Sequence, residues 1–216
     1  NVSLPWSEAL IERYEDKWFW SSLSRNESIP WTEGLIERYE DKWNWGSPRN
    51  RRDDSLSGNE AIPWSDALIE RYEHKWYWGS NFRHYHNSLS TNKSLPWSEA
   101  LVYRYEHRWQ WKQLTNNGSF PWSETLIDQF DDKWDWEDLS INESLPWSEA
   151  LIERYEDKWH WWSLSHNEFL PWSEALIERY EDTWHWASLT WIATIADLFK
   201  SWTEEEFRAA LEAIKS

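Results

Sequence analysis

The chain has 216 residues, with 22 Lys+Arg against 39 Asp+Glu, 24 Trp, and neither Cys nor Met. A net charge of −17 argues against a surface that grips nucleic-acid phosphates, and the absence of Cys excludes disulfides and thiolate metal sites. Leu, Ile, Val and Phe total only 41 residues, which at this charge reads as disorder until Trp is counted; each buried indole removes roughly 200 Å² from water, so the expected core is mainly indole.

The organisation is a tandem array. Pro-Trp recurs at Pro5-Trp6, Pro30-Trp31, Pro63-Trp64, Pro96-Trp97, Pro121-Trp122, Pro146-Trp147 and Pro171-Trp172, with spacings of 25, 33, 33, 25, 25 and 25. Each copy approximates L-P-W-S-E-A-L-I-E-R-Y-E-D-K-W-x-W-x-x-L-S-x-N-E-S. The two long spacings carry eight extra residues between the second Trp of W-x-W and the next Leu, within Gly46–Ser55 and Gly79–Ser88.

In the first copy, Ser7 stands at a helix N-cap, and its counterparts Thr32, Ser65, Ser98, Ser123, Ser148 and Ser173 are all hydroxylic. Trp6 and Ile11 have the spacing of a hydrophobic staple. Leu10, Tyr14 and Trp18 form an apolar stripe with Ile11 alongside, which predicts a helix from Glu8 to Trp18, roughly 16 Å long. Trp20 and Leu23 predict a second, single-turn helix. Asn26, Asn59, Asn92, Asn117, Asn142 and Asn167 sit where a left-handed residue would stop it. The following Pro predicts a rigid extended lead into the next helix. Such a unit cannot bury its apolar face alone but can when stacked, which is the logic of an α-solenoid. The expected fold is therefore all-α: seven short helical repeats over residues 1–189, about 25 residues each and two of them 33, closed by a two-helix cap over 190–216. In that cap, Thr203 and Glu206 make a capping-box pair, with Trp202 and Phe207 at staple spacing. The first repeat has no such cap, so the chain reads as cut from a longer array.

On these residues the chain resembles tryptophan-rich tandem-repeat proteins of bacteria and large DNA viruses, whose units run P-W-S-x-x-L-I-E-x-Y-E-D-K-W-x-W-x-x-L-S-x-N. The match covers roughly residues 1–189, and Pro146–Asn167 fits it well. It implies a repeat architecture and no activity. Repeats two and three depart from it through their inserts, and repeat seven through Thr190-Trp191-Ile192.

Chemistry-bearing patterns are few. No Gly-rich phosphate loop, G-x-S-x-G or H-E-x-x-H occurs. Glu15-Asp16 recurs as a repeat position, and identical exposed pairs do not provide the two distinct environments that acid–base catalysis needs. His74 and His107 fall at the Asp16 position and His160 and His185 at the Phe19 position, as drift at tolerant sites produces. His84-Tyr85-His86 offers two imidazoles where metal sites use three or four ligands. No enzyme activity, metal or cofactor is expected. The Trp triads could serve as stacking platforms, but their stripe positions favour the core. Sequons at Asn1, Asn26, Asn92, Asn117 and Asn142 arise from turn composition.

The inserts are the sharpest non-repeating feature. They place Arg49, Arg51 and Arg52 in one repeat and Arg83, His84, Tyr85 and His86 at the same point of the next, the side chains expected to bind a partner. The reading is a non-enzymatic scaffold for protein binding or self-association, with no indicated small-molecule ligand. Two alternatives stand beside it. One is a subunit stacking head-to-tail into a filament; the other is an acidic nucleic-acid mimic presenting rows of Glu12 and Asp16 equivalents to a basic groove.

Overall fold

The protein is described here from a computed structural model covering residues 4–47, 55–79 and 87–189. The expected terminal cap, including Trp202, Thr203, Glu206 and Phe207, lies outside the described residues. The chain forms two compact units, residues 1–121 with 130–133, and residues 122–129 with 134–216.

The fold is all-α, with no strand among the described residues. In chain order the helices are α1 (Glu8–Arg13), α2 (Trp20–Ser24), α3 (Glu33–Arg38), α4 (Asp66–Arg71), α5 (Glu99–Arg104) and α6 (Trp111–Leu114). They continue as α7 (Glu124–Gln129), α8 (Trp136–Ser140), α9 (Glu149–Arg154), α10 (Trp161–Leu164), α11 (Glu174–Arg179) and α12 (Trp186–Leu189). Two 3₁₀ turns, Glu15–Lys17 and Leu89–Thr91, complete the set. Within each unit the repeats stack in solenoid fashion.

The first helix of every repeat starts as its sequence dictates. The Ser or Thr hydroxyl accepts the N–H three residues on, from Ser7 with Leu10 at 3.2 Å to Ser173 with Leu176 at 3.1 Å. This satisfies one of the free donors of the first turn. The lead-in is not simply extended. The Trp31, Trp64, Trp97, Trp147 and Trp172 N–H groups bond the carbonyl two residues back, at 2.7–2.8 Å. Each Pro thus sits at the centre of a γ-turn, which its fixed φ suits. The Trp6 indole lies 5.3 Å from that of Trp18, so the Pro-Trp ring packs on the W-x-W of its own repeat.

That first helix is shorter than its stripe predicts. It spans six residues and ends at Tyr14, whose φ of −117° and ψ of 26° leave helical geometry. In six of the seven repeats an indole meets this turn. Trp18 Nε1 donates to the Ile11 carbonyl at 3.0 Å, and Trp43, Trp109, Trp134, Trp159 and Trp184 do the same to the residue seven back. The carbonyl of the last helical turn is met by a side chain, so the backbone is free to turn away. Leu10-Tyr14-Trp18 is an apolar set across a helix and the turn after it, not one continuous helix.

The second helix forms only where no insert interrupts it. In the first repeat its closing bond is Leu23 N–H to Phe19 carbonyl, 3.1 Å. In repeats two and three the inserts separate Trp45 from Leu56 and Trp78 from Leu89. Even so, Leu56 N–H bonds Asn44 carbonyl at 2.7 Å and Leu89 N–H bonds Tyr77 carbonyl at 2.9 Å. Repeat three keeps a 3₁₀ turn there and repeat two no helix at all.

The core contains the middle indoles Trp43, Trp76, Trp109, Trp134, Trp159 and Trp184, with the Tyr and aliphatic positions around them. Most Pro-Trp indoles and most second indoles of W-x-W are half-buried. Most of their N–H groups also end on backbone. Trp31 donates to Asn26 carbonyl at 2.9 Å and Trp20 to Glu15 carbonyl at 3.2 Å, patterns that recur at Trp147, Trp172, Trp161 and Trp186.

The Asn residues do not stop a helix in the left-handed region, since no non-glycine described residue has positive φ. Instead they join repeats. Asn117 Nδ2 donates to the Ser90 carbonyl at 3.1 Å and the Asn92 carbonyl at 3.3 Å, while Asn92 Nδ2 reaches Ser57 and Asn59. In the second unit Asn167 Nδ2 reaches Ser140 and Asn142. Each Oδ1 accepts the N–H two residues on, for example Ser119 at 3.0 Å. A buried hydroxyl runs beside this ladder. Ser24 Oγ donates to Trp20 carbonyl and accepts Asn44 N–H from the next repeat. Ser90 relates Trp78 to Gln110, and Ser165 relates Trp161 to His185, in the same way.

Candidate interaction surface

The residues singled out for recognition, Arg49, Arg51, Arg52, Arg83, His84, Tyr85 and His86, all lie outside the described residues. What is described is the base from which both inserts depart and to which they return, in the first unit. Gly46 carries φ 110° and Gly79 φ 127°, the left-handed region that glycine enters without steric cost. A Cβ on Gly46 would come within 2.6 Å of Tyr77 and one on Gly58 within 2.6 Å of Asn87. Ser55 Oγ donates to the Asn87 carbonyl at 2.8 Å. The foot of one insert therefore rests on the foot of the other. Ser88 Oγ continues the contact to Gln113 Oε1 at 2.8 Å in the repeat beyond.

Charged side chains form rows along the array. Arg71 meets Glu37 at 3.0 Å and Arg104 meets Glu70 at 3.7 Å, while Arg179 meets Glu153 at 3.2 Å in the second unit. The Glu12 row is thus ion-paired with the next repeat's Arg. The Asp16 row is more open: the Asp41 side chain is 98% exposed. Tyr155 donates to the Asp128 carboxylate; burial first, then this bond and the carboxylate's charge, push its hydroxyl above the ordinary tyrosine range. Tyr72, Tyr105 and Tyr180 are raised mainly by burial.

A second aromatic surface lies in the second unit. Trp162, present in one repeat only, is 53% exposed, and its ring lies 4.3 Å from that of His166 and 6.3 Å from that of His185. His160 and His185 each pair through Nδ1 with the Ser three residues on, at 2.7 and 2.6 Å. No His, Asp or Glu group among the described residues is arranged to hold a metal ion. No described helix is long and apolar enough to cross a membrane.

Three features escaped sequence reasoning: the indole N–H bonds to backbone, the Asn ladder and the buried hydroxyls. The recurring L-S-x-N was the available signal, because a buried Ser and Asn at fixed spacing must find partners. No known protein family, curated protein or solved structure matches the chain.

Proposed function

We propose that this protein is a non-enzymatic scaffold of the tryptophan-rich repeat type, which binds a protein partner or a second copy through the paired inserts of repeats two and three. The observation that supports the reading is the contact between their bases, Ser55 Oγ to Asn87 carbonyl at 2.8 Å. In this reading, loops that depart from touching feet in successive repeats would pool their side chains. Those side chains are Arg49, Arg51, Arg52, Arg83, His84, Tyr85 and His86, on a chain of charge −17. Cationic and aromatic groups together suit an acidic partner segment. The test removes residues 47–54 and 80–87, so that each repeat closes through the short turn its neighbours use. Thermal stability is expected to stay nearly unchanged while pull-down of partners and self-association are lost. Unaltered binding would place the contact elsewhere on the array.

A second reading is head-to-tail assembly. In it, an indole of one copy would pack on a Tyr of another as the Trp20 ring packs on Tyr39 within the chain, at 4.9 Å. Particle size that grows with concentration supports this reading, and a constant 26.5 kDa species opposes it. The nucleic-acid-mimic reading has less support, since the Glu12 row is ion-paired along the array.

A further inference from the structure

Five of the six junctions between the described repeats carry a cation on an indole. Lys42 Nζ lies 5.4 Å from the centre of the Trp20 ring, Lys75 5.6 Å from Trp45 and Arg108 Cζ 5.9 Å from Trp78. Lys133 lies 4.9 Å from Trp111, and in the second unit Lys158 lies 5.3 Å from Trp136. In the first three cases the same cation pairs with the Glu whose carbonyl accepts that indole's N–H. These pairs are Lys42 with Glu15, Lys75 with Glu40 at 2.6 Å, and Arg108 with Glu73 at 2.8 Å. The slot has three walls: an indole face, a carboxylate one repeat back, and the Tyr ring against which the indole packs.

At the junction of repeats six and seven the walls stand and the cation is missing from the sequence. Trp161 lies 4.8 Å from Tyr180 at 41°, matching Trp20 with Tyr39 at 4.9 Å and 42°. Trp161 Nε1 donates to Glu156 carbonyl at 3.1 Å, matching Trp20 with Glu15 at 3.2 Å. Where the other copies have Lys or Arg, this one has Thr183, whose hydroxyl is turned back to the Tyr180 carbonyl at 2.8 Å. Repeat six, which supplies Trp161 to this junction, alone adds Trp162, an exposed aromatic ring next to it in the chain. A cation over an indole face is attracted by the ring quadrupole, and the Glu156 carboxylate adds charge.

We infer that Trp161, Glu156 and Tyr180 form a binding slot for the ammonium of a lysine side chain on a partner polypeptide, with an apolar neighbour of that lysine resting on Trp162. This site is independent of the inserts. The junctions at Lys42, Lys75 and Arg108 are its template, since each holds a cation on the same three walls.

The test follows the Trp161 indole N–H resonance, assigned through Trp161→Phe, while full-length protein is titrated with acetyl-Phe-Lys-amide. Saturable shifts are expected with the parent. Thr183→Lys, which restores the residue used by the other repeats and so should fold, is expected to weaken binding by at least about tenfold. It should also raise Tm by about 1–4 °C as the slot fills from within. Trp162→Ala should weaken the peptide several-fold, and the norleucine analogue of the peptide should not bind measurably. Undiminished binding to Thr183→Lys, or equal binding of the norleucine peptide, overturns the slot. If n-butylammonium binds as tightly as the dipeptide, the site takes small amines and the polypeptide partner is overturned.

Discussion

At the scale of single residues, polar atoms decide which side chain each position accepts. Asn117 illustrates this: one amide donates to two carbonyls of the preceding repeat and accepts an N–H of its own turn. Replacing it with Ala takes its donor from the Ser90 carbonyl, while the Asn92 carbonyl keeps the Trp97 indole N–H at 3.0 Å, at a cost of about 1–3 kcal/mol. Asn26→Ala removes only a half-exposed turn bond to Ser28 and should cost less than about 1 kcal/mol, as for a single ordinary hydrogen bond. Urea midpoints for the two variants check the contrast. The same ladder bears on the sequons, because the Nδ2 atoms of Asn92 and Asn117 that a glycan would occupy are buried and bonded. Trp134 is a parallel case, with the ring 5% exposed and its N–H 3.3 Å from Ile127 carbonyl. Trp134→Ala should cost roughly 3–5 kcal/mol, whereas Trp134→Phe should cost less, since it retains an aromatic ring at the site. A loss below about 1 kcal/mol for the Ala variant would overturn its place in the core.

At the scale of elements, a helix of six residues has too few internal bonds to persist unaided, so its ends carry unusual weight. Ser148→Ala removes the acceptor of Leu151 N–H and should cost about 0.5–2 kcal/mol; hydrogen exchange at the Leu151 amide should quicken more than exchange in α11. Much of this level was legible in the chain. Ser148 before Glu149 marks the helix start, the Leu151-Ile152-Tyr155-Trp159 spacing marks the buried face, and the Pro-Trp period marks the repeat. What was not legible depends on partners one repeat away. Tyr155 and Trp159 read as helix continuation because apolar periodicity does not tell a helix from a turn folded back under an indole N–H. Asn167 read as a stop because its carbonyl partners, at Ser140 and Asn142, are distant in sequence. The insert side chains were legible as chemistry, while the touching of their feet needed the three-dimensional register of Ser55 and Asn87.

For the whole molecule, buried tyrosines set an alkaline limit. Tyr72, Tyr105, Tyr155 and Tyr180 all have hydroxyls held above the ordinary value of 10.0. Above about pH 10 the unfolded chain therefore releases protons that the folded chain keeps, so stability is full below that pH and falls as pH rises through it. The limiting slope is about 1.4 kcal/mol per pH unit for each such group. Thermal melts between pH 8 and 11 should show Tm level at first and then declining steeply. A melting temperature still level at pH 11 would show the hydroxyls open to solvent. The surface ion pairs between repeats are exposed and each contributes at most about 1 kcal/mol, so added salt should move Tm little.

The bond from Leu N–H to the carbonyl of the middle residue of W-x-W closes equally well over four residues at Leu23 and Phe19 and over twelve at Leu56 and Asn44. The buried hydroxyl of the residue after that Leu, Ser24 or Ser57, joins the next repeat in both cases. Chain length between those two anchors is therefore uncoupled from the pitch of the stack. Every repeat of this kind has a splice port between its second Trp and the following Leu, into which foreign sequence can be grafted without disturbing its neighbours. Lengthening such a loop adds only slowly growing closure entropy, about 0.6 kcal/mol per doubling. Seven equivalent ports along one chain would let new surfaces arise by local insertion while the indole core is copied unchanged.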